Sequence, residues 1–248
     1  MVKLTIDGRQ TEAKEGAMVL DAARALNIYI PTLCAHESVS AYGACRLCTV
    51  DITTRSGRNR MVTSCLYPVE EGLAVKTTTE KIAAHRRMLI QLLLARCPES
   101  PELKAMAKKL GADDTPFPKE DPAKNHNCIL CALCTRACDE VVGQSAISFV
   151  NRGVAREMAI PFYNDSDACI ACGSCFYICP TNAIQMTDKN GKRRFVMPHN
   201  TMEFELAQCA QCGRYHLPKR QIAWMAKKSG QPLEFFARCI SCREEVRL

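Results

Sequence analysis

The sequence predicts an α+β chain of four segments, and three observations carry that reading. A stretch of period-two alternation, folded back at Asp7-Gly8, opens the chain. Helical periodicity takes over between residues 80 and 110. Beyond residue 120 the cysteine density rises sharply, and all but Cys97 of the seventeen cysteines fall into four groups of four.

In chain order, Lys3 to Ile6 alternates, Asp7-Gly8 is a strong hairpin turn, and Arg9 to Lys14 alternates back. Val19 to Leu26 has helical spacing and stops at Asn27. Thr49 to Ile52 and Leu73 to Val75 supply further short strands, which closes a first segment over 1–79. Glu80 to Ala95 reads as a long amphipathic helix with Ile82, Met88, Leu89, Leu92 and Leu93 on one side. Leu103, Met106, Ala107 and Leu110 form a second helix stopped by Gly111, and the proline-rich stretch from Asp113 to Pro122 is a linker. The spacer thus covers 80–120, a cysteine-rich segment 121–190, and a tail 200–248. Lys219 to Lys228 reads as a helix within that tail.

Disulfides are the plain alternative use of so many cysteines, and they belong to oxidising compartments. Met1 to Gly8 lacks the basic start, apolar run and cleavage site of an export signal, and the most apolar stretch, Met88 to Ala95, is too short to span a membrane. The expectation is a cytoplasmic, metal-loaded chain. Its formal charge of +7 would otherwise raise nucleic acid as a partner. Cysteine ligands are thiolates, however, and each tetrad around an oxidised cluster or Zn²⁺ carries about −2. Four sites add about −8 and leave the loaded chain near −1, so no nucleic-acid partner is expected.

The strongest signal is a duplicated C-x2-C-x2-C-x3-C. Cys128, Cys131, Cys134 and Cys138 share their offsets with Cys169, Cys172, Cys175 and Cys179. Each tetrad is followed by an Ala-Ile pair opening a short strand, Ala146-Ile147 and Ala183-Ile184. Three ligands at such spacing grip three irons of a cubane, while the fourth lies too far along the chain. The pattern resembles two-cluster bacterial ferredoxins, in which the fourth cysteine serves the other cluster. That resemblance implies one [4Fe–4S] cluster on Cys128, Cys131, Cys134 and Cys179. It implies a second on Cys169, Cys172, Cys175 and Cys138. Pro180 follows Cys179 as in that family, but Asp139 stands after Cys138, and the first repeat is four residues longer before its Ala-Ile pair.

A [2Fe–2S] rhomb needs two cysteines per iron, and Cys34-x10-Cys45-x2-Cys48-x16-Cys65 supplies a loop plus one distant residue. With Tyr42 to Cys48 and Glu71 to Val75, this region resembles the large iron–sulfur subunit of respiratory NADH dehydrogenase and the diaphorase small subunit of bidirectional nickel–iron hydrogenases. The resemblance covers residues 1–190 and implies a β-grasp [2Fe–2S] domain, a helical spacer and a two-[4Fe–4S] ferredoxin-like domain. Gly43 and Ala44 would let backbone N–H groups approach the sulfurs. It departs at Leu94 to Ser100, where the family carries a His and three Cys for another cubane. Only Cys97 stands here, read as a buried, inert thiol.

Cys209-x2-Cys212 and Cys239-x2-Cys242 form two knuckles, each gripping one edge of a tetrahedron, so the tail is expected to be a zinc-ribbon-like segment holding one Zn²⁺, with a further iron–sulfur cluster as the alternative. No G-x-G-x-x-G, Walker motif or further cysteine group supplies a substrate-converting site. His36, His85, His126, His199 and His216 are scattered and read as surface or core residues, with a hydrogen bond from His126 to the cluster near Cys128 as the alternative for that one. The resemblance therefore implies a non-catalytic electron-transfer subunit. Its expected partners are an NAD(H)-binding flavoprotein and a catalytic subunit, a nickel–iron hydrogenase ahead of a formate dehydrogenase. A soluble ferredoxin, coupled by electron bifurcation in the flavoprotein, is a further partner the sequence allows. A cluster-based redox-sensing regulator is the competing class, and Arg193-Arg194 and Lys227-Lys228 are too short to be its recognition element.

Overall fold

The computed structural model of the chain describes residues 1–164 and 166–244. Two compact units, Met1–Leu133 and Cys134–Leu248, divide the chain.

In the first unit β1 (Val2–Ile6) and β2 (Arg9–Ala13) form the expected hairpin. Asp7 and Gly8 both have positive φ, 48° and 79°, the geometry a two-residue hairpin turn demands. Helix α1 (Val19–Ala25) ends with Asn27 at φ 57°, as its C-terminal asparagine suggested. Strands β3 (Thr49–Thr53), β4 (Asn59–Thr63) and β5 (Leu73–Lys76) complete a five-stranded sheet of order β2-β1-β5-β3-β4. Only the β1–β5 pairing is parallel. Leu4, Ile6, Val50, Ile52, Leu73 and Val75 pack with Val19, Leu20 and Ala23 of α1 into one core that also takes in Cys48 and Cys65. Burying each large apolar side chain contributes roughly 1.5–3 kcal/mol, so the cysteine loops hang from a well-secured frame.

Helix α2 (Glu80–Arg96) starts at Thr79, whose Oγ1 accepts from Ile82 N–H at 3.2 Å and donates to Asp51 at 2.9 Å. Its buried stripe differs from the expected one. Ile82, Arg86, Ile90 and Leu94 face inward at intervals of four, while Met88 and Leu92 are exposed. The stripe follows the helical period through an arginine, so counting apolar residues alone rotated the expected face. Helix α3 (Pro101–Lys109) is capped by Ser100, begins with proline and buries Leu103 and Ala107. The linker holds no regular element until the short helix α4 (Pro122–Asn125).

Across the first cysteine motif lies α5 (Leu133–Arg136), continued by a π-helical turn over Ala137–Val141. In the second unit, β6 (Ser148–Val150) follows Ala146-Ile147 and pairs with β7 (Glu157–Ala159). Helix α6 (Ser174–Tyr177) repeats α5, and β8 (Gln185–Lys189) follows Ala183-Ile184. Strands β9 (Lys192–Met197), β10 (Asn200–Gln208) and β11 (Tyr215–Pro218) extend β8 into an antiparallel sheet of order β11-β10-β9-β8. One sheet therefore runs from the second cysteine motif into the tail. Helix α7 (Lys219–Ser229) fills the gap between the tail's knuckles, as expected, and α8 (Ile240–Glu244) carries Cys242.

Candidate metal centres

The first tetrad is brought together inside the first unit. Cys34, Cys45, Cys48 and Cys65 are all buried, and their sulfurs couple two by two. Cys48 Sγ lies 3.3 Å from Cys65 Sγ. Its thiol is drawn down to about 6, chiefly by the hydrogen bond it shares with Cys65, whose own thiol is pushed up. Cys45 is pushed up first by Cys34. Backbone N–H groups point at sulfur in this loop: Leu33 N–H donates to Cys45 Sγ and Cys45 N–H to Cys34 Sγ, each at 3.4 Å. Such donors stabilise thiolate and the charge of whatever it binds. Gly43 shapes the approach: its φ is 72°, and a Cβ there would sit 2.4 Å from Leu66 Cδ1. Ser64 accounts for the distant ligand, donating its N–H and Oγ to Cys48 O at 3.1 and 2.8 Å and so tying Cys65 to the loop. His36 is exposed and its Nδ1 accepts from Ser38 N–H, a local turn rather than a ligand position.

The duplicated motif is repeated in backbone as well as in sequence. Leu130 and Ala132 have φ 54° and 64°, and their counterparts Ala171 and Gly173 have 58° and 86°. Alternating left-handed residues turn successive N–H groups to one side, the nest that cradles anionic groups. The fourth cysteines are also matched. Cys138 Sγ accepts from Ala146 N–H at 3.3 Å and Cys179 Sγ from Ala183 N–H at 3.2 Å. The four extra residues of the first repeat are taken up around the π-helical turn, and the hydrogen bond to sulfur survives them.

Within the second unit, one pocket is lined by Cys138 together with Cys169, Cys172 and Cys175, and walled by Phe195, Met197 and Met202. Cys175 is pushed up by burial first and then by Cys169, Cys172 and Cys138; Cys138 is pushed up by burial and by Cys172 among others. Arg193 braces this pocket, forking onto Asp188 with two bonds of 2.8 Å and donating to Ala171 O at 3.0 Å. Of the other expected ligand set, Cys128 and Cys131 fall in the first unit and Cys134 and Cys179 in the second. Arg96 at the end of α2 donates to Cys128 O at 2.9 Å. Cys97 is fully buried and its thiol is pushed up to about 12 by desolvation. The His126 side chain is exposed.

The last tetrad converges tightly. The sulfurs of Cys209, Cys212, Cys239 and Cys242 all lie within 4.8 Å of one another, and Cys212 to Cys239 is 3.8 Å. A tetrahedron of Zn–S bonds of about 2.3 Å has an edge of about 3.8 Å. A cubane carries its four thiolates on four separate irons and spreads them farther, so this set fits a single ion. Cys239 N–H donates to Cys209 Sγ at 3.3 Å and Arg214 Nε–H to Cys212 Sγ at 3.4 Å. Backbone N–H groups of Cys212 and Cys239 hold the Cys209 thiol down at about 5.

Sequence reasoning missed Arg86, Arg96 and Arg193, which brace these loops through backbone carbonyls. Only Arg86 left a trace, as a cation four residues from isoleucine on either side.

Thiol tetrads at these spacings, with N–H groups aimed at their sulfurs, define a multi-centre iron–sulfur electron-transfer protein. A family model described as a 2Fe-2S iron-sulfur cluster binding domain matches residues 1–80. One described as a 4Fe-4S dicluster domain matches 127–183 and again 168–214. The chain is 36% identical over 208 residues to an NADPH-Fe(3+) oxidoreductase subunit alpha of Geobacter sulfurreducens, covering 74% of this chain and 24% of that protein. It is 32% identical to the NADP-reducing hydrogenase subunit HndD of Solidesulfovibrio fructosivorans, covering 74% and 36%. It is also 30% identical to a chain of an NAD+-reducing [NiFe]-hydrogenase crystal structure, with a TM-score of 0.55, covering 64% of this chain and 75% of that one. The chain belongs to the family of iron–sulfur electron-transfer subunits found in NAD(P)-linked hydrogenases and NADH dehydrogenases. It spans about a quarter to a third of the length of the curated relatives.

Proposed function

We propose that this chain relays single electrons between an NAD(H)-linked flavoprotein and a catalytic subunit, a nickel–iron hydrogenase in the first instance, in the cytoplasm. The observation that carries the reading is the convergence of Cys138 with Cys169, Cys172 and Cys175 on one pocket. A thiol 31 residues before its companions in sequence has that position when two cubanes exchange their fourth ligands. When bound, the clusters supply one-electron chemistry and the protein supplies their spacing and burial.

Cys34 with Cys45, and Cys48 with Cys65, take one iron each of a [2Fe–2S] cluster in a β-grasp domain over 1–79. The segment 80–120 is a spacer: Arg86 and Arg96 lie ten residues apart on α2, about 15 Å along its axis, and brace the loops of Cys48 and Cys128. The two-cubane domain covers 121–190, with Cys128, Cys131, Cys134 and Cys179 on one cluster and Cys169, Cys172, Cys175 and Cys138 on the other. Cys209, Cys212, Cys239 and Cys242 hold one Zn²⁺ in a zinc-ribbon-like tail over 200–248. No helix among the described residues is long and apolar enough to cross a membrane.

Anaerobic purification followed by metal analysis and EPR tests this. About ten irons and one zinc per chain are expected. Fourteen irons without zinc would overturn the assignment of the tail. Cys179→Ser is expected to perturb the cubane of Cys128, Cys131 and Cys134; loss confined to the centre of Cys169, Cys172 and Cys175 would refute the exchange of ligands.

A further inference from the structure

Helix α2 carries a charge where its inward stripe calls for an apolar side chain. Arg86 is 6% exposed, between Ile82 at 0% and Ile90 at 0%. Its Nε–H donates to Leu47 O at 2.9 Å and its Nη2–H to Thr49 O at 2.8 Å. Those two carbonyls stand on either side of Cys48. The guanidinium therefore clamps the ligand loop to the helix from both flanks of one ligand.

Two carbonyls satisfy hydrogen bonds but do not neutralise a charge, and a buried cation without an anion is costly. Among the described residues no carboxylate forms an ion pair with Arg86. Asp7, the acid whose field reaches it, is bound to Thr77 N–H at 2.7 Å and Thr77 Oγ1 at 2.5 Å. Arg193, by contrast, is also buried beside cluster cysteines but is forked onto Asp188. One buried arginine has its counter-ion in a side chain; the other holds the carbonyls on both sides of Cys48, and against the desolvation of its charge Cys48 is the first group that favours it. Four thiolates and an oxidised [2Fe–2S] core carry about −2, and one added electron makes that about −3. A fixed cation at this place favours the more negative state.

We propose that Arg86 is a positioning residue for the [2Fe–2S] centre, holding the backbone on both sides of Cys48 while its charge raises the reduction potential of the cluster on Cys34, Cys45, Cys48 and Cys65. The proposal rests on that ligand assignment. It explains why an arginine occupies an isoleucine-lined stripe: the cluster is its counter-ion, so the charge is costly in the cluster-free chain and compensated in the loaded one.

The test uses the full chain and potentiometric titration of the [2Fe–2S] EPR signal, with the cubanes as internal references. Arg86→Gln is expected to lower the preference for the reduced state by on the order of tenfold, about 59 mV for one electron. Arg86→Lys keeps the charge and is expected to stay within about threefold of the parent. A glutamine variant that titrates with the parent, or a lysine variant displaced as far as the glutamine one, overturns the proposal. Should the glutamine variant not retain the cluster, hydrogen exchange decides. In chain stripped of iron, Arg86→Met is expected to slow exchange of the β3 amides relative to the parent, because the uncompensated charge is gone. An arginine that merely ties two carbonyls predicts faster exchange, and that result would sink the idea. Absence of any [2Fe–2S] signal from the parent chain would instead fault the ligand assignment itself.

Discussion

Phe195 offers a direct measure of how far the second cubane depends on the wall around it. Its side chain is 2% exposed on β9 and lines the pocket shared by Cys138, Cys169, Cys172 and Cys175. It meets Phe204 edge to face, with centroids 6.0 Å apart. Replacing a buried phenylalanine by alanine costs about 3–5 kcal/mol, of which the aromatic pair accounts for about 0.5–1.5. If cluster loss proceeds through opening of this unit, Phe195→Ala accelerates it by roughly 10²–10⁴-fold. The assay is the anaerobic decay of cubane absorbance and EPR signal in the presence of an iron chelator. The [2Fe–2S] centre, in the other unit, serves as the control and is expected to decay at the parent rate. Acceleration below about fivefold, or equal acceleration of both kinds of centre, would refute the reasoning that this wall guards this cluster.

Two further predictions concern the first unit. Gly43→Ala puts a Cβ at φ 72° against Leu66, and although Leu66 is partly exposed and can swing away, the left-handed backbone still costs about 1–2 kcal/mol; the spin of the [2Fe–2S] signal per chain is expected to fall, and full occupancy with an unchanged melting temperature would count against it. Cys97, fully buried with its thiol pushed up to about 12, is expected to resist iodoacetamide at pH 8 until the chain is unfolded; mass spectrometry showing its alkylation in the native state would contradict that.

The parts of the fold written in local chemistry were legible. Asp7-Gly8 announced its hairpin and Asn27 its helix end, because each depends on residue type at a fixed place. Strand β4 was missed: Asn59-Arg60-Met61-Val62-Thr63 is an edge strand whose outer positions are polar. The sheet from β8 to β11 was also missed, since its pairing is settled between strands and no single segment reveals it. The face of α2 was misplaced because Arg86 belongs to the stripe by geometry while its composition denies it. Arg96 and Arg193 act on carbonyls contributed by distant residues, so nothing in their sequence neighbourhood marks them.

Strand β10 joins two places that the sequence keeps apart. Met202, near its start, helps enclose the second iron–sulfur pocket, and Cys209 directly follows its last residue, Gln208. Seven residues, at most about 23 Å, separate them on one strand, whose register with β11 shifts between Leu206 and Gln208. If the tail's four sulfurs hold the proposed ion, it anchors the far end of a strand whose near end lines the pocket of Cys138, Cys169, Cys172 and Cys175. Stripping that ion would be felt as faster decay of a cluster it never touches.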